Sequence, residues 1–291
     1  MKVQITGANG FIGSNLTQLL KEEIIPLSIN SNNSYIINAD IIIHLAGIAH
    51  NLDESISSKD YFAVNTELTI KAFDAFLSSN AEKFILVSSV KAINNESDFT
   101  ITEETIELPT TDYGRSKLAA DKYIFSSKLP PGKLIYILRP ALVTGPGVKG
   151  NMLRLYNFSN SSLNWLFSSI NNKRSFCSVF NLSYVIQQLI ERNDIPSGIY
   201  LLSDNETLST AEIVKELSNK VIGNKNLSLI AASIFNLLLS LDKLLGYTSL
   251  FKPLRILTKN YIVSNTKLTS VIGNPLPFSS LDGIRSIKQK K

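Results

Sequence analysis

A glycine run directly behind a short β-branched segment constrains this chain more than any other feature of its sequence. Residues 3–6 have the composition of a buried strand, and they lead into Gly7, Gly10 and Gly13. Apolar residues then recur at helical spacing, at Ile12, Leu16, Leu19 and Leu20. A strand, a glycine turn and a helix in this order predict a βαβ unit whose helix N-terminus can bind phosphate groups.

Each glycine of such a turn has its own physical task. The first permits the tight turn, the second lets the backbone approach a pyrophosphate, and the third lets the helix lie close to the strand. We therefore predict a dinucleotide site formed by Gly7, Asn9, Gly10, Phe11, Ile12 and Gly13. Asn30 stands where an acidic residue commonly binds the adenosine ribose, and no arginine is near it, which favours NAD and leaves NADP open.

The first half of the chain alternates short apolar runs with helical patterns. This alternation predicts an α/β fold, a doubly wound parallel sheet with helices on both faces. Predicted strands cover residues 3–6, 24–29, 40–47, 83–89 and 134–138, and predicted helices follow the glycines and cover residues 65–77 and 113–126. Two later segments, 175–182 and 198–203, have the pattern of returning strands, and Ser209 with Glu212 predicts a capping box that opens a helix.

These patterns divide the chain into two predicted regions. Residues 1–145 form a dinucleotide-binding domain, to which residues 176–203 return. Residues 146–175 and 204–291 form a smaller, mostly helical substrate-binding region. A chain of 291 residues is long enough for both.

The composition argues against several other classes of protein. The net charge is +5, with no basic stripe interleaved with aromatic residues, so we expect no nucleic-acid partner and an anionic substrate. Two histidines and one cysteine form no ligand cluster, so we expect no metal. The lone Cys177 and the lack of a signal-peptide pattern before the first strand favour a cytoplasmic protein.

The most apolar segment lies near residues 229–245 and is too short to cross a bilayer, so we expect no stable membrane insertion. Its apolar residues fall at helical spacing along one face: Ile230, Ile234, Leu237, Leu238, Leu241, Leu244 and Leu245. This spacing predicts an amphipathic helix whose apolar face packs on the domain, with contact to a membrane or a partner as the alternative.

Tyr113 and Lys117 indicate which reaction a dinucleotide at the glycine turn would serve. Positions four apart on a helix face the same way, so both side chains should meet one cleft. Oxidising an alcohol by hydride transfer requires removal of the hydroxyl proton, and a tyrosine can take it if a nearby ammonium and a positive nicotinamide ring together lower its pKa. Ser88 and Ser89 end a predicted strand, where ligands gather in such sheets, and either hydroxyl can complete the site.

Together these motifs resemble the extended short-chain dehydrogenases/reductases, a Rossmann-type family. More narrowly, they are similar to the NAD-dependent sugar-nucleotide epimerase/dehydratase group and to its UDP-glucose 4-epimerase-like branch, which serves bacterial surface polysaccharides. The segments that carry the resemblance are residues 6–13, 44–47, 64–65, 87–91, 113–117 and 139–151.

The resemblance implies roles for particular residues. Ser89, Tyr113 and Lys117 would be catalytic, with Lys117 also on the nicotinamide ribose. The remaining cofactor residues would be Leu45, Ala46, Gly47, Asn65 and Arg139, and Asn65 would also fix the helix that carries Tyr113. A nucleotide-diphosphate sugar would be bound by Ser89, Lys91, Lys149, Asn151, Arg154 and Arg174. The resemblance further implies a homodimer through a four-helix contact.

The residues after Ser89 narrow the reaction. Dehydratases of this family carry an Asp-Glu pair directly after the catalytic hydroxyl residue, whereas Val90 and Lys91 follow Ser89 here. This leaves 4-epimerisation through a 4-keto intermediate as our first hypothesis. The alternatives are one-way reduction of a UDP-4-keto-6-deoxy-N-acetylhexosamine and, from another class, a catalytically silent protein that binds NAD(P) as a sensor or scaffold.

Overall fold

The computed structural model describes residues 1–30, 34–49, 56–218, 225–246 and 256–288. Its main sheet has six parallel strands in the order β2-β1-β3-β4-β5-β8. These strands are β1 Lys2–Thr6, β2 Glu23–Pro26, β3 Ile41–His44, β4 Lys83–Val87, β5 Leu134–Pro140 and β8 Gly198–Leu202. The predicted doubly wound parallel α/β fold is therefore confirmed.

The strand order locates the ligand crevice. β2 and β3 pair with opposite edges of β1, so the crossover connections change direction at this strand. In open parallel sheets, a crevice for ligands opens at the carboxyl ends of the strands beside such a switch. The glycine turn follows β1, and residues 45–47 follow β3, so both lie at this edge.

Helices cover both faces of the main sheet because alternate residues of each strand point to opposite sides. Ile41 and Ile43 enter one apolar core, whereas Ile42 enters the other. The helices of this part are α1 Phe11–Leu19, α2 Ser58–Phe62, α3 Leu68–Leu77, α4 Asp112–Ser126 and α6 Val179–Glu191, with a π-helical turn at Ala63–Glu67. The first core lies under α1 and α6, and the second lies under α3 and α4.

A second, three-stranded sheet has the order β6-β7-β9. It consists of β6 Leu142–Thr144, β7 Arg174–Ser178 and β9 Thr207–Leu208. Around it lie α5 Asn151–Ser159, a 3₁₀ turn Asn164–Ser169, α7 Thr210–Leu217, α8 Lys225–Leu244 and α10 Ser280–Ser286, whereas α9 Thr266–Ile272 packs against β8 and the first core of the main sheet. Phe176, Ile213, Val214 and Ile284 are buried together in a third apolar core, which belongs to this part of the chain.

Two predicted strands differ from the structure. The strand predicted over 24–29 ends at Pro26, and the Leu27 N–H beyond it still donates to the Ile5 carbonyl of β1 at 2.8 Å. The segment 175–182 is a strand only to Ser178, whose side chain accepts a hydrogen bond from the Asn181 backbone N–H and so starts helix α6. The strand belongs to the second sheet, while 198–202 joins the main sheet as predicted. The capping box of Ser209 and Glu212 is confirmed at the start of α7.

Helix α8 forms where the sequence predicts it, but it packs through a different face. Leu237, Leu241 and Leu244 are 61%, 40% and 81% exposed, so the predicted packing of this leucine face on the domain is wrong. Ala231 and Phe235 are buried instead, and the Phe235 ring lies 5.6 Å from that of Phe167. Phe235, which directly follows Ile234 of the leucine face, fills the space against the 3₁₀ turn. With the Phe235 ring buried, the leucines point outward. Within the ranges given above, no helix is long and apolar enough to cross a membrane.

Candidate active site

The glycine turn is shaped by close backbone contacts. Gly7 has a φ of +70°, which favours glycine, and a Cβ there would lie 2.9 Å from the Ala46 nitrogen. A Cβ on Gly13 would lie 2.3 Å from the Gly7 carbonyl oxygen, so the first turn of α1 rests directly on the loop. The Gly10 N–H donates to the Gly7 carbonyl, and α1 begins at the next residue. These contacts form a glycine-lined cradle at a helix N-terminus, an arrangement whose free backbone N–H groups can bind a phosphate.

The other predicted residues of the turn point in different directions. Asn9 is exposed, whereas Phe11 and Ile12 are half-buried. Phe11 packs against the core of the second sheet region, so the glycine turn touches both parts of the chain. Asn15 fixes this contact, because its side-chain amide donates to the carbonyls of Phe11 and Pro146.

The segment after β3 connects the glycine turn to the predicted catalytic residues. The Thr6 hydroxyl accepts hydrogen bonds from the backbone N–H groups of Leu45 and Ala46, each at 3.1 Å. A Cβ on the next residue, Gly47, would lie 2.8 Å from Asn65 Oδ1 and 3.1 Å from Lys117 Nζ. The glycine therefore lets this loop approach the lysine, and the structure brings the two sets of residues to one crevice.

Asn65 holds the loop and the α4 helix together, as the resemblance implies. It is fully buried in the π-helical turn, a local widening that is frequent at functional sites. Its Oδ1 accepts from the Ile48 N–H at 2.8 Å, and its Nδ2 donates to the Ile48 carbonyl and to Ser116 Oγ. Since Ser116 precedes Lys117 on α4, these bonds fix the position of the lysine relative to the loop.

The two serines after β4 have separate partners. Ser88 is buried and its hydroxyl donates to Asp121 Oδ2 at 2.9 Å. The Ser89 hydroxyl acts on the Tyr113 phenol, whose pKa it lowers, and it accepts a hydrogen bond from the Lys91 N–H. Geometry thus favours Ser89 as the hydroxyl that accompanies Tyr113. Tyr113 opens onto a cleft of about 370 Å³ that is also lined by Tyr61, Lys91 and Thr111.

Burial, and not Lys117, dominates the acidity of Tyr113. We expect the ammonium, together with a bound nicotinamide ring, to lower the pKa of this phenol. In the protein itself, burial raises the pKa of Tyr113 above its ordinary value, and the Ser89 hydroxyl only partly opposes this. The Asp121 carboxylate and the Tyr61 phenol raise it further. The expectation left out the desolvation of the ring and a buried anion, and the lowering by the ammonium and the nicotinamide together stays a prediction.

Lys117 is itself strongly affected by its surroundings. Its side chain is 5% exposed and its Nζ lies 3.5 Å from the Val87 carbonyl oxygen. Burial lowers the pKa of Lys117 to about 8, and the Asp121 carboxylate acts in the opposite direction. The lysine therefore remains mostly an ammonium at neutral pH, able to donate hydrogen bonds to a ribose hydroxyl.

Arg139, predicted at the cofactor, is engaged in a buried ion pair. Its Nε donates to Asp121 Oδ2 at 2.8 Å and its Nη2 to Glu107 Oε1 at 2.6 Å. These bonds join β5 to α4 below Tyr113 and Lys117, so the described contacts of Arg139 are structural, and its cofactor role stays a prediction. The sequence analysis missed Asp121, although its position four residues after Lys117 places it on the same helix face.

Asn30 makes a local turn. Its Oδ1 accepts from both the backbone N–H and the hydroxyl of Ser34, each at 3.1 Å. The predicted contact with a ribose would have to coexist with this turn, and it stays a prediction. The main sheet ends at the neighbouring β2, whereas the doubly wound dinucleotide fold commonly has a further strand outside it.

The predicted substrate residues fall into three places. Lys91 lies at the cleft, with its Nζ 5.9 Å from the centre of the Tyr113 ring. Lys149, Asn151 and Arg154 are exposed around the start of α5 and line no part of the cleft. Arg174 begins β7, where its Nη1 donates to the carbonyl of Ile256 at 2.6 Å.

His44 is structural, as its position at the end of a buried strand indicates. The ring is fully buried, and its nitrogens lie 2.9 Å from the Thr6 hydroxyl and 3.0 Å from the Thr69 hydroxyl. Burial lowers the pKa of His44 to about 3, and the Lys117 ammonium adds to this. The ring therefore stays neutral throughout the pH range in which Tyr113 and Lys117 would act.

This buried imidazole predicts acid sensitivity. The folded pKa lies below the ordinary 6.5, so the unfolded chain binds the additional proton and stability falls as pH drops below 6.5. Relative to His44→Asn, we expect the free energy of unfolding of the wild type to fall by about 2 kcal/mol between pH 7 and pH 5. Urea titrations of both proteins at each pH measure the difference. Burial raises the pKa of Asp204 to about 6, so this residue increases the free energy of unfolding as the pH falls. It does so equally in both proteins and does not affect the difference between them. Parallel pH profiles for the two proteins would contradict the expectation.

The fold and the cluster of Ser89, Tyr113 and Lys117 beside the glycine turn define a class: an enzyme that acts with a bound dinucleotide. Comparison with known sequences agrees and is more specific. The chain belongs to the NAD dependent epimerase/dehydratase family, whose sequence model matches residues 29–202.

Individual relatives share this character. A UDP-glucose 4-epimerase of Vibrio cholerae is 30% identical over 245 residues, which cover 74% of each chain. A UDP-2-acetamido-2,6-beta-L-arabino-hexul-4-ose reductase of Pseudomonas aeruginosa is 32% identical over 161 residues, 52% of this chain and 38% of the relative. Among solved structures, the UDP-glucuronic acid 4-epimerase of Bacillus cereus in complex with NAD superposes with a TM-score of 0.68. It is 18% identical over 99% of this chain and 95% of the other, a likeness that concerns the fold.

Proposed function

We propose that this protein is an NAD-dependent 4-epimerase of a nucleotide-diphosphate sugar, a UDP-hexose or a UDP-N-acetylhexosamine. The observation that carries the proposal is the grouping of Ser89 and Tyr113 with Lys117, which follows Tyr113 by one helical turn on α4. This group meets the loop of Gly47 that adjoins the glycine turn. The 30% identical UDP-glucose 4-epimerase supports the same reaction.

The residues divide the chemistry between them. Tyr113 takes the proton of the sugar O4 hydroxyl while C4 loses a hydride, and it returns the proton when the hydride comes back to the other face of the 4-keto sugar. Ser89 donates a hydrogen bond to the same oxygen, and Lys117 holds the ribose beside the reacting ring. A bound NAD supplies the hydride acceptor and, in its oxidised form, a positive charge that opposes the raised pKa of Tyr113.

Lys91 argues against a reaction that eliminates water from the sugar. Elimination from the sugar requires a carboxyl group next to the catalytic hydroxyl to move a proton. Here an ammonium stands at that place, 5.9 Å from the centre of the Tyr113 ring. A cation at this distance cannot act as the required base, so we propose that Lys91 contacts the substrate instead.

The nucleotide part of the substrate would bind to the smaller substrate-binding region, which we propose to consist of residues 146–175 and 204–291. Arg174 is the strongest candidate for the diphosphate. Burial lowers its pKa, and in the described part of the chain its partners are backbone carbonyls and no carboxylate. A half-buried guanidinium whose described partners are backbone carbonyls suits a doubly charged phosphate group. The exposed Lys149, Asn151 and Arg154 are further candidates.

Arg174→Met tests this assignment. We expect the KM for the nucleotide sugar to rise at least about tenfold, since a charge-assisted contact contributes roughly 1.5–3 kcal/mol. The dissociation constant of NAD should stay within about twofold, because the proposed NAD site lies at the other sheet. Steady-state kinetics and NAD titration measure both quantities. Arg285→Met, which removes an exposed guanidinium paired with Glu216, is the matched control. An unchanged KM in Arg174→Met would remove Arg174 from the substrate site.

A second candidate reaction is NAD(P)H-dependent reduction of a UDP-4-keto-6-deoxy-N-acetylhexosamine. The observation that favours it is the 32% identity to a reductase of a UDP-hexulose. The same Ser89, Tyr113 and Lys117 would serve, with Tyr113 giving its proton to the ketone oxygen while C4 receives the hydride. Surface polysaccharide synthesis in the cytoplasm is the setting we propose for either reaction.

One set of incubations separates the candidates. Purified protein is supplied with UDP-hexoses, UDP-N-acetylhexosamines and a UDP-4-keto-6-deoxy-N-acetylhexosamine, with and without added NADH or NADPH. A C4 epimer formed without added cofactor supports the epimerase. Consumption of one reduced cofactor per sugar supports the reductase and shows which cofactor is used. Bound cofactor with no turnover of any sugar would overturn both in favour of a silent binding protein.

A further inference from the structure

Asp121 is a buried carboxylate at the centre of the proposed site that the chemistry described so far does not use. It is fully buried on α4, and its Oδ2 accepts hydrogen bonds from Ser88 Oγ at 2.9 Å and from Arg139 Nε at 2.8 Å. Its other oxygen, Oδ1, is buried and has no hydrogen-bond partner among the residues that the structure describes. Leaving a buried carboxylate oxygen unbonded is costly, so its retention calls for a reason.

The position of Asp121 on α4 gives a reason for this buried carboxylate. It follows Lys117 by one turn and Tyr113 by two, so the three side chains lie along the same face of α4. Ser88, on the other side of Asp121, directly precedes Ser89. The carboxylate therefore contacts the residue before Ser89 and shares a helix face with Tyr113 and Lys117, and it does not line the cleft.

The groups that face Lys117 and Tyr113 identify Asp121 as the anion that acts on both. His44 faces Lys117 from β3 and is neutral above about pH 4, since its pKa lies near 3. Tyr113 is faced by Ser89 and Lys91 from the segment after β4 and by Tyr61 from α2. Arg139 faces Asp121 from β5, but its charge is shared with Glu107.

We propose that Asp121 is a positioning residue that keeps Lys117 in its ammonium form and thereby sets the pH range in which Tyr113 and Lys117 work together. This inference rests on the proposed function, since it concerns the same site. Burial raises the pKa of Asp121 itself, while the Arg139 guanidinium, the Ser88 hydroxyl and the Lys117 ammonium act in the opposite direction. In its charged form the Asp121 carboxylate favours the protonated forms of both neighbours. Its removal should let both Tyr113 and Lys117 lose their protons at lower pH.

The pH profile of kcat/KM distinguishes this role from a merely structural one. In Asp121→Asn we expect both limbs of the profile to move to lower pH, by about one pH unit. Glu107→Gln is the matched control, because it also removes a carboxylate from Arg139 but not one that acts on Lys117 or Tyr113; its limbs should stay in place. Asp121→Glu, which restores the charge, should return the limbs towards their original positions. A lower rate with unshifted limbs in Asp121→Asn would overturn the proposal.

A titration that needs no turnover keeps this test separate from the proposed function. The phenolate absorbance of each protein, minus that of the same protein with Tyr113→Phe, follows Tyr113 alone. Its midpoint should be about one pH unit lower in Asp121→Asn than in the wild type. If Asp121→Asn does not fold, the double variant Asp121→Asn/Arg139→Gln removes both buried charges. Its midpoint should move in the same direction but by less, because the loss of the Arg139 cation opposes the loss of the carboxylate. A midpoint unmoved in a folded variant would refute the role of Asp121, whether or not the protein proves to be an epimerase.

Discussion

Tyr113→Phe should lower kcat by about a thousandfold or more while leaving the fold and the binding of NAD intact. The substitution removes the group that exchanges a proton with O4, and general acid–base catalysis of this kind contributes roughly 10²–10⁴-fold. The ring itself remains, with its edge contact to Tyr61 at a centroid distance of 6.2 Å. Turnover of the sugar nucleotide, together with NAD titration by fluorescence, measures the two effects.

Tyr123→Phe is the matched control for this prediction. Tyr123 lies on the same helix, but its hydroxyl donates to Asp74 at the surface. Its activity should equal that of the wild type within about twofold, because a surface substitution of this kind changes little. If Tyr113→Phe turned over the sugar at the wild-type rate, proton transfer would have to come from another group, and the assignment of Tyr113 would be wrong.

Gly13→Ala should abolish NAD binding and destabilise the protein. A Cβ at this position would lie 2.3 Å from the Gly7 carbonyl oxygen and 2.7 Å from Ala8 Cα, and both of these atoms belong to backbone that cannot turn aside. Relief requires α1 to lift from the loop, which opens the phosphate cradle. We expect the free energy of unfolding to fall by about 1–3 kcal/mol, the usual cost of overpacking, and NAD affinity to fall beyond detection.

Gly198→Ala is the control for steric effects of an added methyl group. Its Cβ would meet the Tyr200 ring at 3.6 Å, an ordinary contact, at the start of β8. Urea unfolding and NAD titration of both variants test the pair. Wild-type NAD affinity in Gly13→Ala would show that the dinucleotide does not lie on this turn.

The fold could be predicted from the sequence because its signals are local. The glycine turn lies between a strand and a helix, and the alternating pattern of later segments specifies parallel strands separated by helices. The same holds for Tyr113 and Lys117, since helical spacing alone puts them on one face. Serine was ambiguous at two adjacent positions, and only the structure separates Ser89, which meets Tyr113, from Ser88, which meets Asp121.

The electrostatics of the site could not be predicted in the same way. The pKa of Tyr113 depends on burial and on Asp121, whose ion pair with Arg139 joins residues 18 positions apart on a helix and a strand. Only the packed structure determines that distance and its solvent exclusion. Helix α8 shows the same limit for packing, because periodicity reveals an apolar face but cannot tell whether the leucines or Phe235 will be covered.

The most direct test follows the hydrogen at C4 of the sugar. A UDP-hexose or UDP-N-acetylhexosamine that the protein accepts is prepared with deuterium at C4 and incubated without added cofactor, and the product is examined by NMR and mass spectrometry. With the wild type, we predict a product that is inverted at C4 and keeps its deuterium, and with Tyr113→Phe we predict no inversion. An inverted product that has lost the deuterium, or inversion that persists in Tyr113→Phe, would contradict the proposed 4-epimerase with Tyr113 as its acid/base.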